Sequence, residues 1–154
     1  MILILRSTDH SLFINCGGSS ETVGDNEYEE DTDPKGAADF ASISEKWGYS
    51  STGTYINALG AYIATNSYGL NVTDEGFYQT ARLAPQSLKY YGLCMLAGSY
   101  KVQLHFAEIM FSNNQTFSSL GRRIFDISIQ VSKMIFKLAH LLRISLFIYD
   151  CISK

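Results

Sequence analysis

Two prolines and one tryptophan are all that this 154-residue chain contains, against 12 glycines, 10 tyrosines and 9 phenylalanines. That balance is neither disordered nor collagen-like. Positive charge is not in excess: 12 basic residues face 15 acidic ones, a net charge of −3, so a nucleic-acid partner held through its phosphates is not expected. Long apolar runs are missing too. Met1–Leu5 stops at Arg6, short of the apolar core of about 7–15 residues that a signal peptide needs. The apolar stretch from Met134 to Ile152 is interrupted by Lys137, His140, Arg143 and Asp150, which leaves no run of about 18 uncharged residues to span a bilayer. A surface-lying amphipathic helix is still allowed there. The 46% of hydrophobic residues that remains suffices for one domain with a core and not for two.

All 12 glycines lie between Gly17 and Gly121. Residues 21–45 concentrate the acids Glu21, Asp25, Glu27, Glu29, Glu30, Asp31, Asp33, Asp39 and Glu45 around Gly24, Pro34 and Gly36, a composition that predicts a solvated loop. The centre alternates as half-buried strands do. Tyr100, Val102, Leu104 and Phe106 point one way, with Lys101, Gln103 and His105 opposed; Phe125, Ile127 and Ile129 repeat the pattern against Asp126, Ser128 and Gln130. Shorter strand-like runs occur at Leu12–Asn15, Tyr62–Thr65, Phe77–Ala81 and Leu88–Leu93, separated by turn-forming clusters. Many short strands of this kind predict an all-β, antiparallel two-sheet sandwich. Ile135, Leu138, Leu142 and Leu146 recur at helical spacing, so a helix is expected in the tail.

The chemistry-bearing motifs are few. Asn15-Cys-Gly-Gly18 lacks the spacing of a dinucleotide fingerprint and reads as a tight corner after a strand. Asn71-Val-Thr73 and Asn114-Gln-Thr116 satisfy the acceptor rule for N-glycosylation at Asn71 and Asn114. Cys16 and Cys94 both border strands; either they pair across the sheets, which requires Cα atoms within about 7 Å, or they stay as two buried thiols. Cys151 is left over. Asp25–Asp33 does not follow the ligand order of a calcium loop, and His10, His105 and His140 have no neighbour at zinc-ligand spacing, so no metal and no cofactor is expected. Glu108 and Asp126 are the carboxylates nearest to strands. A glycosidase needs two acids about 5–10 Å apart, but strand-end carboxylates read first as structural groups, and no nucleophile elbow, phosphate loop or kinase signature is present. The chain is therefore not expected to be an enzyme. Tyr and Trp faces stack on the C–H faces of sugars, which makes Trp47, Tyr49, Tyr55 and Phe111, in or beside Gly/Ser-rich segments, candidates for ligand contact.

Ile14-Asn-Cys-Gly-Gly18, Val23-Gly-Asp-Asn-Glu-Tyr-Glu-Glu-Asp31, Tyr78-Gln-Thr-Ala-Arg82, Leu104-His-Phe-Ala-Glu108 and Gly121-Arg-Arg-Ile-Phe-Asp126 occur in the order found in the malectin domain. The chain resembles that domain, above all as it occurs in the ectodomains of plant leucine-rich-repeat receptor-like kinases. The resemblance implies a jelly-roll, galactose-binding-like sandwich over residues 12–130, preceded by an extension at 1–11 and followed by an unrelated apolar tail at 131–154. It also implies a non-catalytic module that binds an oligosaccharide or cell-wall glycan through aromatic rings. Carried over, those rings are Trp47 and Phe111, while Leu83 and Met110 stand where the animal lectin of the family has tyrosines. The loss of two stacking faces, at about 0.5–1.5 kcal/mol each, lowers the affinity so implied. The parent receptors would sit in the plasma membrane with this domain outside, and would pair there with co-receptors. Val131-Ser132 can be encoded by GTAAGT, a splice-donor match, so the tail is expected to be translated intron. Its sheets would then lack their last strands and leave edges open. Two other readings are an incomplete fragment without binding activity and a carbohydrate-active enzyme using Glu108 or Asp126.

Overall fold

The computed structural model describes residues 1–6, 11–34, 39–54, 62–66, 75–93, 95–96, 98–110, 123–129, 132–138 and 144–152. In chain order the strands are β1 (Ile2–Arg6), β2 (Ser11–Asn15), β3 (Glu21–Val23), β4 (Asn26–Glu30), β5 (Phe40–Ser42), β6 (Trp47–Thr52) and β7 (Ile63–Thr65). A 3-10 turn at Glu75–Tyr78 follows, then β8 (Thr80–Arg82), β9 (Ser87–Gly92), β10 (Gly98–Phe106), β11 (Arg123–Ile129), β12 (Ser132–Leu138) and β13 (Ile144–Ile152). The largest sheet has the order β13-β10-β1-β2-β4-β3; a second has β5-β6-β9, and β7-β8 and β11-β12 form two-stranded ribbons. Pairing is antiparallel throughout except between β2 and β4, where Ile14 lies beside Glu29 and Asn15 beside Glu30. The all-β expectation holds.

Cross-strand register explains the core. Leu3 faces Leu104 on one side and Ile14 on the other, and these side chains meet Leu12, Val102, Ala41, Trp47 and Tyr49 in one enclosed cluster. The largest sheet thus packs one face on β5-β6-β9, and Ile127 of β11 joins them. Its other face carries Ile2, Ile4, Phe13 and Tyr28, covered by Phe77 and Tyr78 of the 3-10 turn. At about 1.5–3 kcal/mol for each large apolar side chain enclosed, these two clusters hold the layers together.

β1, within the segment expected as an extension, runs in the interior of the sheet between β10 and β2, and its unbroken apolar run is that of a strand buried on both faces. Two expectations are corrected. The acidic segment is no loop throughout, because β3 and β4 form a hairpin whose turn is set by Gly24 at φ +60°. Tyr28 points inward from it, against Phe13 and Phe77, while Glu27 and Glu30 face solvent. The tail is not helical in any described residue. β13 lies along the full length of β10, from Gly98 opposite Ile152 to Phe106 opposite Ile144, and β12 pairs β11. An open strand edge offers nine consecutive backbone partners, and Ile144, Phe147, Ile148, Tyr149 and Ile152 are residues that suit a pleated surface. Those two factors outweigh a leucine period that a strand also tolerates.

Candidate binding site

The corner at Asn15–Gly18 begins the description of the site. Gly17 has φ +86°, a conformation that side chains other than hydrogen disfavour, and a Cβ there would collide with the backbone of Ala81 and Arg82. The corner is tight, as predicted. It closes over a polar centre formed by three distant segments. Asp31 is fully enclosed and forms an ion pair with Arg82. Its Oδ2 accepts from Arg82 Nε at 2.6 Å, Tyr90 Oη at 2.6 Å and the Gly17 amide at 3.2 Å. Arg82 Nη2 donates further to the carbonyls of Asp31 and Asp33 at 3.0 and 2.9 Å, and the guanidinium lies 4.1 Å from the centroid of the Tyr49 ring. Burial works against the charge of Arg82, but the hydrogen bonds and charge of Asp31 prevail and raise its pKa. Burial, then the charges of Cys16 and Asp31, push the Tyr90 hydroxyl well above its ordinary value. Tyr90 therefore stays a neutral donor. The members of this centre bind one another across the fold, so its chemistry is that of a clamp between β4, β8, β9 and the corner.

Trp47 is corrected as a stacking residue. It is fully enclosed between the layers, its ring is 5.9 Å from that of Tyr90, and its Nε1 donates to Glu29 Oε2 at 2.9 Å. Glu29 also accepts from Ser44 Oγ at 3.0 Å and pairs with Lys46 at 3.2 Å. A sugar ring has no access to that indole. Tyr49 is enclosed as well. Phe111, Tyr55, Asn71, Asn114 and Cys94 lie outside the described residues. Cys16 is a free, enclosed thiol; its Sγ donates to the Ile14 carbonyl at 3.8 Å. Burial pushes this thiol up to about 11. Iodoacetamide at pH 8 is therefore expected to leave Cys16 untouched in the folded chain and to modify it in urea, as read by mass spectrometry of the peptide. Equal labelling in both states would contradict the enclosure. Glu108 Oε1 accepts from the Met110 amide at 2.9 Å, and Asp126 is exposed on β11. Among the described residues no group of three or more His, Cys, Asp or Glu side chains could hold a metal ion, and no helix is long and apolar enough to cross a membrane.

Two rings were missed. Phe40 and Tyr91 are the exposed aromatic side chains among the described residues. The available signal was the alternation within Ser87–Gly92, which turns Tyr90 inward and Tyr91 outward.

The model of the malectin domain family matches residues 10–138 of this sequence. The chain belongs to the malectin domain family. The match runs past Gln130, where the likeness was expected to end, and takes in β12. The probable LRR receptor-like serine/threonine-protein kinase At1g53440 of Arabidopsis thaliana is 61% identical over 122 residues, 78% of this chain and 12% of that protein. Its relative At1g07650, named in the same way and from the same plant, is 42% identical over 131 residues, 79% of this chain and 13% of its own length. This malectin domain chain thus spans about an eighth of those proteins. No solved structure matches it.

Proposed function

We propose that this chain is a non-catalytic saccharide-binding module of a receptor ectodomain, in which aromatic rings rather than ionisable groups make the contact. One observation carries this reading: Asp31 and Arg82 are enclosed and, with the half-buried Tyr90, hydrogen-bond one another, while Phe40 and Tyr91 stand open. Such a division suits recognition of a ligand with apolar C–H faces and polar edges. Membership in a family found in receptor-like kinases supports an extracellular setting at the plasma membrane, with an oligosaccharide or cell-wall glycan as ligand and a co-receptor as partner of the whole receptor. Phe111 is proposed as a further contact, and Asn71 and Asn114 as glycan acceptors. In a test on a cell-wall oligosaccharide array, the chain is expected to retain at least one glycan without releasing reducing sugar, and Phe111→Ala is expected to weaken retention several-fold. Turnover that Glu108→Gln or Asp126→Asn abolishes, or an array without any bound glycan, would overturn the reading.

A further inference from the structure

The outer face of the β5-β6-β9 sheet carries an arrangement that the corner and its clamp do not use. Inward from this sheet point Ala41, Trp47, Tyr49 and Tyr90; outward stand Phe40, Gly48, Ser50, Lys89 and Tyr91 in two adjacent cross-strand rows. The Phe40 ring lies over Gly48, where a Cβ would come 3.2 Å from Phe40 Cζ. It meets the Tyr91 ring edge to face, with centroids 5.8 Å apart and planes at 64°. Phe40 is 54% exposed and Tyr91 39%, too open for a pair whose only role is to pack. Tyr91 Oη shares a 3.0 Å hydrogen bond with Ser50 Oγ, and one row further Thr52 Oγ1 and Ser87 Oγ share another at 2.7 Å.

From this geometry we infer that the Phe40–Tyr91 corner and the hydroxyl row beside it form a saccharide site on the sheet face. The inference rests on the saccharide-binding reading above and assigns it a surface. Aliphatic side chains, which dominate faces that bury against protein, are absent from these rows; rings and hydroxyls take their place. A hexopyranose offers a flat C–H face to one ring and its edge to the other. The hydroxyl of each Ser, Thr or Tyr has one donor and two acceptor sites, so the hydrogen bonds within the rows leave capacity for sugar hydroxyls. The Thr52–Ser87 row lies two residues along the strands, about 7 Å away, within reach of the next sugar. Lys89 brings one positive charge to these rows and Asp39, whose Oδ1 accepts from the Phe40 amide at 2.9 Å, brings one negative charge to their border, so the face carries no net charge and favours a neutral ligand. An extended, equatorially linked chain can set successive sugars on rows that follow one another along the strands.

The test is calorimetric titration of the full chain with cellohexaose, with maltohexaose and an oligogalacturonate as comparators. Cellohexaose is expected to bind more tightly than either. Phe40→Ala and Tyr91→Ala are each expected to weaken it about five- to tenfold, in line with the loss of one aromatic contact, with Trp47 emission unchanged as the sign of an intact fold. Lys89→Gln should leave the affinity as it was. If array binding survives both ring substitutions, this surface assignment falls and the saccharide reading stands; if no glycan binds, both fall. Preference for the oligogalacturonate lost with Lys89→Gln, or a dimer in sedimentation that Tyr91→Ala dissolves, would also overturn the inference.

Discussion

Replacing Asp31 with alanine is expected to lower the unfolding free energy by about 3–5 kcal/mol, the cost of removing one partner from an enclosed ion pair. Arg82 would keep its charge, because a guanidinium stays protonated at neutral pH, and that charge would be left without its carboxylate in a side chain that is 1% exposed. The hydroxyl of Tyr90 and the amide of Gly17 would lose their acceptor at the same time. Domains of this size hold about 5–15 kcal/mol in total, so the variant would sit near the edge of folding. Urea denaturation followed through the emission of the one tryptophan measures the effect. Glu30→Ala, at an exposed neighbouring position, should stay within about 0.5 kcal/mol of the parent. If Asp31→Ala behaved like that control, the centre would not be the clamp described above.

Trp47→Ala is expected to cost about 3–5 kcal/mol as well, by opening a cavity between the sheets. Trp47→Phe retains most of the ring and loses the bond to Glu29, so its cost should be distinctly smaller. This pair of substitutions separates the enclosed indole from a ligand-stacking one. A stacking residue, once removed, lowers affinity and leaves stability nearly intact; an enclosed one does the reverse. Native emission should accordingly lie at short wavelength, shift to long wavelength in urea, and stay unchanged when cellohexaose is added. Quenching by the sugar in the folded chain would restore the stacking role to Trp47.

The sequence made the middle of the fold legible where burial is one-sided. Tyr100–Phe106 and Phe125–Ile129 each bury one face more deeply than the other, so a period of two shows through, and both became strands at those places. It hid β1 for the opposite reason. With Ile2 and Ile4 on one face and Leu3 on the other, all buried, no alternation remains to be read. The tail misled because leucine spacing suits either period and the deciding factor, the free edge of β10, lies far away in the chain. Trp47 misled because serine and glycine beside it suggest a loop, whereas Gly48 and Ser50 are the outward residues of β6. Asp31 and Arg82 stand 51 positions apart, and no local pattern joins them. An acid at the end of an acidic run and an arginine within a short apolar alternation were the only traces of the centre.

Because β1 lies between β2 and β10, its two sides close at very different times. The β2 side, with Ile2 opposite Asn15, needs only a short hairpin. The β10 side, with Ile2 opposite His105, waits until that distant strand has left the ribosome, and long-range pairing of this kind slows folding. During that interval the nascent polypeptide presents an apolar ribbon with one unpaired flank, and holding it apart from its neighbours becomes a task for the cell's chaperones.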